Sequence, residues 1–84
     1  MRNEYSVLNS YQRIKEIREL RNINQKDIAD LLQTTQQQIS KYEKGIQKMS
    51  FERYIVLAQF YNVSLDYFAG LIDTPKPLCN ENDE

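Results

Sequence analysis

Residues 24–45 read NQKDIADLLQTTQQQISKYEKG, and this stretch decides the fold. Asn24 and Thr35 are residue types that cap helix N-termini, because their side-chain oxygens accept hydrogen bonds from free backbone amides. An apolar spacing typical of a helix follows each of them. The stretch therefore predicts one helix over residues 25–32 and a second over residues 36–44.

The link between these two helices is short, consisting of residues 33–35, and leaves no room for a free loop. Gly45 ends the helix predicted over residues 36–44, because glycine readily takes the left-handed conformation found at helix C-termini. Two short helices joined so closely must cross at a steep angle, which is the arrangement of a helix-turn-helix.

Three more helices are predicted around this pair. The first begins at Ser10 and ends near residues 21–22, and its apolar residues recur at a spacing of three: Tyr11, Ile14, Ile17 and Leu20. The fourth, over residues 51–61, is apolar almost all round, which favours a central place in the core. The fifth is short and covers residues 65–69.

The fold class predicted for the chain is all-α, with five helices packed as one domain over residues 10–72. Residues 1–9 are expected to form an N-terminal arm. Residues 73–84 are expected to form an acidic tail that is disordered or loosely docked, because they hold both prolines and few apolar residues.

Composition limits the function before any motif is considered. The 84 residues are 40% hydrophobic, contain no histidine and one cysteine, Cys79, and carry a formal charge of −1. The charge is divided, because residues 1–70 hold ten Lys or Arg against eight Asp or Glu, whereas residues 71–84 hold one against four. This division is consistent with an anionic partner for the basic body, and equally with ordinary solvated surface charge.

The same composition argues against several classes of protein. A lone cysteine allows no internal disulfide, and without histidine most zinc sites and histidine-dependent catalytic triads are excluded. No stretch has the length of a membrane helix. We expect a cytoplasmic protein that is not an enzyme, with no metal or other cofactor, no membrane partner and no small-molecule ligand.

The helix predicted over residues 36–44 has two chemically distinct faces. Projected at about 100° per residue, Ile39 and Tyr42 fall on one side and must face the core. The other side carries amides, a hydroxyl and ammonium groups: Gln36, Gln37, Ser40, Lys41 and Lys44. Glutamine can bond adenine, and lysine can bond guanine or phosphate, so this face suits the major groove of duplex DNA. The alternative is an ordinary solvated helix face.

From Arg13 to Leu71 the sequence resembles the Cro/repressor type of helix-turn-helix protein, also called the xenobiotic-response-element family. The order and spacing of four segments carry the resemblance: RIKEIR at 13–18, NQKDIA at 24–29, TQQQISKYEKG at 35–45 and NVSLD at 62–66. The run TTQQ at 34–37 also resembles the start of the DNA-reading helix in lambdoid phage repressors.

This resemblance implies sequence-specific binding of double-stranded DNA and transcriptional regulation. We expect the regulation to be repression rather than activation. Gln36, Gln37 and Lys41 match positions that read bases. Gln25 matches a residue that binds phosphate and braces the first reading residue. A lone domain makes few base contacts, so a homodimer on a two-fold operator is expected.

Further roles are implied by the same resemblance. Asn24 and the loop 44–48 match contacts to the DNA backbone, and Arg18 and Glu43 match a partly buried ion pair between the first and third helices. The candidate DNA-binding residues are Asn24, Gln25, Thr35, Gln36, Gln37, Ser40, Lys41, Lys44 and Lys48.

The chain departs from the family pattern at two positions. Gln33 stands where a glycine is usual between the second and third helices, and Met49 stands where a proline is usual before the fourth. A left-handed residue other than glycine costs about 1–2 kcal/mol. The pose of the turn is thus the feature that the sequence leaves open.

Two alternatives are kept from the sequence. The chain could be an antitoxin-like or adaptor module whose acidic tail binds a protein, with DNA binding secondary.

The aromatic residues Tyr42, Phe60 and Tyr61 are predicted to lie in the core. The apolar residues near the C-terminus fit either the core or a partner surface: Tyr67, Phe68, Leu71 and Ile72.

Overall fold

The computed structural model describes residues 10–72 and 74–78, and this part of the chain contains five α-helices and no strand. The helices are α1 (Ser10–Leu20), α2 (Gln25–Leu32), α3 (Gln36–Glu43), α4 (Phe51–Tyr61) and α5 (Leu65–Ala69). The all-α, five-helix prediction is confirmed. Within the same residues, no helix combines the length and the apolar character that a membrane crossing requires.

The N-termini of α2 to α5 lie at capping residues. The side-chain oxygens of Asn24, Thr35, Ser50 and Ser64 accept hydrogen bonds from the amides of Asp27, Gln38, Arg53 and Asp66, at 2.8, 3.1, 3.3 and 3.0 Å respectively. The first amides of a helix have no partner inside the helix, so a cap fixes where the helix begins. These four residues therefore determine the starting points of four helices.

The end of α3 differs from the prediction. The helix stops at Glu43 rather than Lys44, which is its C-cap with φ −93°, and Gly45 beyond it is left-handed with φ 76°. The amide of Ile46 bonds the carbonyl of Lys41 at 3.0 Å and closes the turn around the glycine. The glycine thus lies one residue beyond the C-cap, as in a Schellman motif.

The core draws residues from all five helices and from the loops that flank α4. Buried apolar residues are Ile14, Ile17, Ile28, Ala29, Leu32, Ile39, Tyr42, Met49, Leu57, Ala58, Tyr61, Val63, Tyr67 and Phe68. The prediction that Ile39 and Tyr42 face inward is confirmed, as is the burial of Tyr61. Met49, at the position of the usual proline, contributes its side chain to this core.

Leu20 belongs to the apolar spacing of three that predicts α1, but its side chain is 65% exposed. A strict spacing of three drifts by about 60° at every step around a helix of 3.6 residues per turn. By Leu20 the drift has carried the side chain out of the face that Ile14 and Ile17 share. Arg18, only about 40° from Ile14 on the same projection, is buried instead.

The prediction that α4 is central was also wrong. Its buried residues Leu57, Ala58 and Tyr61 share one side, whereas Phe51 is 65% and Phe60 is 47% exposed. The helix is apolar almost all round, and Tyr54 and Val56 pack partly buried against the core, but Phe51 and Phe60 are left exposed. Composition alone therefore overestimated the burial of α4, and Phe60 is not a core residue.

The segment after α5 runs back over the body of the domain. Tyr67 and Phe68 are buried and Ile72 is half-buried, whereas Leu71 is exposed. In the described part of the predicted tail, the carbonyl of Lys76 accepts a hydrogen bond of 2.7 Å from the amide of Ser64. The predicted arm 1–9, Asp73 and residues 79–84, including Cys79, lie outside the described residues.

We expect Gln33→Gly to raise the free energy of unfolding by about 1 kcal/mol. Gln33 has φ 58° and ψ 50°, a left-handed conformation that glycine adopts freely and that strains a glutamine. Asn22→Gly is the matched control, because Asn22 has φ 58° but asparagine tolerates this region well. Urea unfolding of both variants measures the effect, and an equal gain in the two would contradict the assignment of strain to Gln33.

Candidate nucleic-acid interface

The turn between α2 and α3 forms without glycine. The amide of Gln33 bonds the carbonyl of Asp30 at 3.2 Å, and the amide of Thr34 bonds the carbonyl of Ala29 at 2.9 Å. The side chain of Gln33 points to solvent, so the departure from the family pattern affects only the backbone of this residue. The two helices are therefore joined by a hydrogen-bonded turn although position 33 is not glycine.

The outer face of α3 presents polar side chains in the order that the sequence predicted. Gln36, Gln37, Lys41 and Lys44 are exposed, and Ser40 is half-buried. At the N-terminal end of this face, a shallow hollow of about 360 Å³ is lined by Gln25, Gln36, Gln37 and Ser40. These four side chains offer three amides and a hydroxyl, which can both donate and accept hydrogen bonds.

The hollow is tied to the interior by a chain of side-chain hydrogen bonds. The Gln36 amide donates to Oε1 of Gln25 at 3.4 Å, and the Gln25 amide donates to Oε1 of Glu43 at 3.0 Å. Glu43 is buried and pairs with Arg18 of α1. Gln25 therefore braces the first residue of α3 against a buried carboxylate.

The pair of Arg18 and Glu43 is bidentate. Nε of Arg18 lies 2.7 Å from Oε2 of Glu43, and Nη2 lies 3.0 Å from Oε1. Nη1 of Arg18 donates to the carbonyl of Ile23 at 2.8 Å. The hydrogen bond to Glu43 raises the pKa of the Arg18 guanidinium, and burial only partly offsets it. Burial also raises the pKa of the Tyr61 hydroxyl far above its ordinary value, so this neighbouring ring is neutral.

Two of the predicted site residues have their side-chain oxygens engaged as caps. Asn24 caps α2 and Thr35 caps α3, and the side chains of both residues are exposed to solvent. Gln25 and Gln36, the first residues of α2 and α3, both line the hollow. The N-termini of the two helices therefore lie on the same side of the domain as the hollow. A helix N-terminus favours anions such as phosphate.

Three lysines extend the candidate site from the N-terminal end of α3 toward its C-terminal end and beyond. Lys41 lies on the outer side of α3, Lys44 is the C-cap of that helix, and Lys48 lies in the loop that leads to α4. All three are exposed. The carboxylate of Glu43, which lies between Lys41 and Lys44 in the chain, is neutralised by Arg18, so it does not cancel their positive charge.

The structure adds two contacts that the sequence did not reveal. The side-chain amide of Gln38 donates a hydrogen bond of 2.7 Å to Oε1 of Gln47. This bond connects the α3–α4 loop to α3. A Cβ on Gly45 would lie 3.1 Å from the ring of Tyr11, so this ring packs directly on the glycine backbone. Neither contact has a sequence signal, because amide pairs and ring-to-backbone contacts follow no fixed spacing.

Comparison with known sequences supports this description of the fold. A helix-turn-helix family model matches residues 14–68. An HTH-type transcriptional regulator of Rickettsia prowazekii is 33% identical over 67 residues, which cover 79% of this chain and 52% of the relative. One of Bacillus subtilis is 29% identical over 66 residues, which cover 79% of this chain and 59% of the relative. The chain spans little more than half the length of these two relatives.

Two solved structures share the fold. The P22 c2 repressor protein, crystallised in complex with the synthetic operator 9T, superposes with a TM-score of 0.63 at 22% identity, over 70% of this chain and 89% of that one. A transcriptional regulator from Listeria innocua superposes with a TM-score of 0.70 at 20% identity, over 88% of this chain and 66% of that one. At these identities the likeness concerns the fold.

We expect Glu43→Ala to lower the free energy of unfolding by about 3 kcal/mol, because the Arg18 guanidinium would stay buried without its partner. Urea unfolding followed by circular dichroism at pH 7 measures this loss. In the double variant Arg18→Met with Glu43→Leu both charges are gone, so its loss should be smaller than the sum of the two single losses. A midpoint of Glu43→Ala within error of the parent would contradict the buried pair.

Proposed function

The chain belongs to the helix-turn-helix family, and on that basis we propose that it binds double-stranded DNA sequence-specifically and regulates transcription by repression. The observation that carries the proposal is the hollow lined by Gln25, Gln36, Gln37 and Ser40. It opens on the outer face of α3 and is anchored to the core through Glu43.

Base reading falls to the first turn of α3. A helix that enters the major groove brings its N-terminal residues closest to the base edges. Gln36 and Gln37 are exposed there, and a glutamine amide matches the donor and acceptor that adenine shows in that groove. Lys41, about one turn further on, is suited to the acceptors of guanine.

Phosphate binding falls to the flanks of α3. The N-terminus of α2, with Asn24 and Gln25, offers amides and a positive dipole end to one phosphate. Lys44 and Lys48 offer ammonium groups to another stretch of backbone. These contacts fix the register of the domain on the duplex, and the α3 side chains then read the sequence.

Repression and a two-fold operator complete the proposal. Occupation of an operator is by itself enough to block polymerase, and a protein with this fold, the P22 c2 repressor, was crystallised with an operator. Two copies on a two-fold site would double the few base contacts that one short helix can make. The double-stranded operator and a second copy of the chain are thus the partners proposed.

A protein-interaction module of the antitoxin or adaptor kind is the second candidate. Large apolar side chains on the surface favour it: Leu20, Ile46, Phe51, Phe60 and Leu71. The two functions differ in their response to salt, because DNA binding weakens steeply as salt rises, by counterion release. Complexes with an apolar interface lack this dependence, so a salt titration separates them.

Selection from random duplexes is the experiment that tests the proposal, and we expect one enriched motif with two-fold symmetry. Gln36→Ala or Gln37→Ala should reduce affinity for that motif by about 1–3 kcal/mol and relax the preference at one A·T pair. Lys44→Ala should weaken all sequences alike and lower the salt slope by about one. Fluorescence anisotropy at several salt concentrations measures both effects.

Exposed residues away from α3 supply the controls. Gln59→Ala on α4 and Lys76→Ala after α5 remove the same chemical groups from exposed positions and should leave affinity and salt slope unchanged. If neither glutamine variant of α3 alters the selected motif or its affinity, α3 is not the reading helix. If no duplex is enriched at all, DNA binding itself is refuted.

A further inference from the structure

The side chain of Arg53, on α4, connects the two helices of the helix-turn-helix. Its Nη1 donates a hydrogen bond of 2.8 Å to the hydroxyl of Tyr42 on α3. Its Nη2 donates one of 3.3 Å to the carbonyl of Leu32, the last residue of α2. A single half-buried guanidinium thus bridges the end of α2 and the last turn of α3.

Both acceptors are suited to this cation. The last carbonyls of a helix have no amide partner within it and carry the negative end of the helix dipole, where a guanidinium is favourable. The Leu32 carbonyl directly precedes Gln33, the strained left-handed residue of the turn. The Tyr42 ring is buried, so its hydroxyl is held at a fixed place by core packing.

Arg53 complements the buried pair on the other side of α3. Glu43 is held by Arg18 of α1, and the preceding residue, Tyr42, is held by Arg53 of α4. The C-terminal turn of α3 is therefore fixed from two sides. An eight-residue helix is about 12 Å long, so a tilt of about 10° at this end displaces the reading end by about 2 Å.

We propose that Arg53 is a positioning residue for base reading, which sets the pose of α3 through Tyr42 and the Leu32 carbonyl without contacting DNA. This inference rests on the proposed function. It assigns to α4 a share in sequence discrimination, because a tilted α3 loses contacts to base edges while the phosphate contacts on its flanks persist. No motif in the sequence indicated a role for Arg53. An arginine in a helix is ordinarily interpreted as a solvent-exposed charge.

The test compares Arg53→Met, Arg53→Lys and Tyr42→Phe with the parent, at a temperature where all are folded. The measured quantity is the ratio of affinities for the selected duplex and for an unrelated duplex of equal length. We expect Arg53→Met to lower this ratio about tenfold, the equivalent of one charge-assisted hydrogen bond. Arg53→Lys keeps the charge but cannot bridge both acceptors, and Tyr42→Phe keeps the core ring, so both should give smaller losses.

A second readout needs no DNA. Amide hydrogen exchange at Thr34, whose amide bonds the Ala29 carbonyl across the turn, should be faster in Arg53→Met, relative to the amides of α1. Leu65→Ala, on α5, is the control for general destabilisation, and it should change neither this relative rate nor the affinity ratio. If Arg53→Met does not fold, Arg53→Lys and Tyr42→Phe decide both readouts.

Three results would overturn the inference. An unchanged affinity ratio in all three variants means that Arg53 only stabilises the fold. A salt slope reduced by about one in Arg53→Met means that Arg53 binds a phosphate directly. An unchanged exchange rate at Thr34 means that the turn does not depend on Arg53. If the parent enriches no duplex, the proposed function fails, and the exchange result still decides whether Arg53 positions α3.

Discussion

The buried pair of Arg18 and Glu43 constrains the arrangement of the first three helices. Moving two charges out of water costs several kcal/mol for each ion, and only complete hydrogen bonding offsets that cost. The guanidinium bonds Glu43 and the Ile23 carbonyl, and the carboxylate also accepts from Gln25. All of these bonds form together only when α1, the start of α2 and the end of α3 are placed as observed, so the pair specifies one arrangement.

This constraint explains how a helix as short as α3 keeps a fixed position, which its proposed role in base recognition requires. An isolated helix of eight residues is not stable in water, so α3 owes its form to its surroundings. Its inner side is buried through Ile39 and Tyr42, and its last turn is held by charged partners from α1 and α4. The outer side chains of α3 are therefore carried by a rigidly held helix, as the proposed recognition of base edges requires.

Much of the fold could be predicted from local chemistry. Caps at Asn24 and Thr35 placed the starts of α2 and α3, because a cap is satisfied within its own helix turn. The inward turn of Ile39 and Tyr42 followed from helical periodicity. The exposure of Leu20 and Phe60 could not be predicted, since it depends on which side of each helix another element covers. The bridge made by Arg53 spans 11 and 21 residues of sequence and is equally invisible to local patterns.

The side chains proposed to read bases differ in how they are attached to the rest of the domain. In the described part of the chain, Gln37 and Lys41 make no side-chain hydrogen bond or ion pair, whereas Gln36 is tied to Gln25. A new residue at position 37 or 41 therefore withdraws no support from the fold, but a new residue at position 36 must keep the bond to Gln25 or break the chain of bonds to Glu43. If the proposed reading roles hold, substitutions at positions 37 and 41 change the target of the domain and leave its scaffold intact.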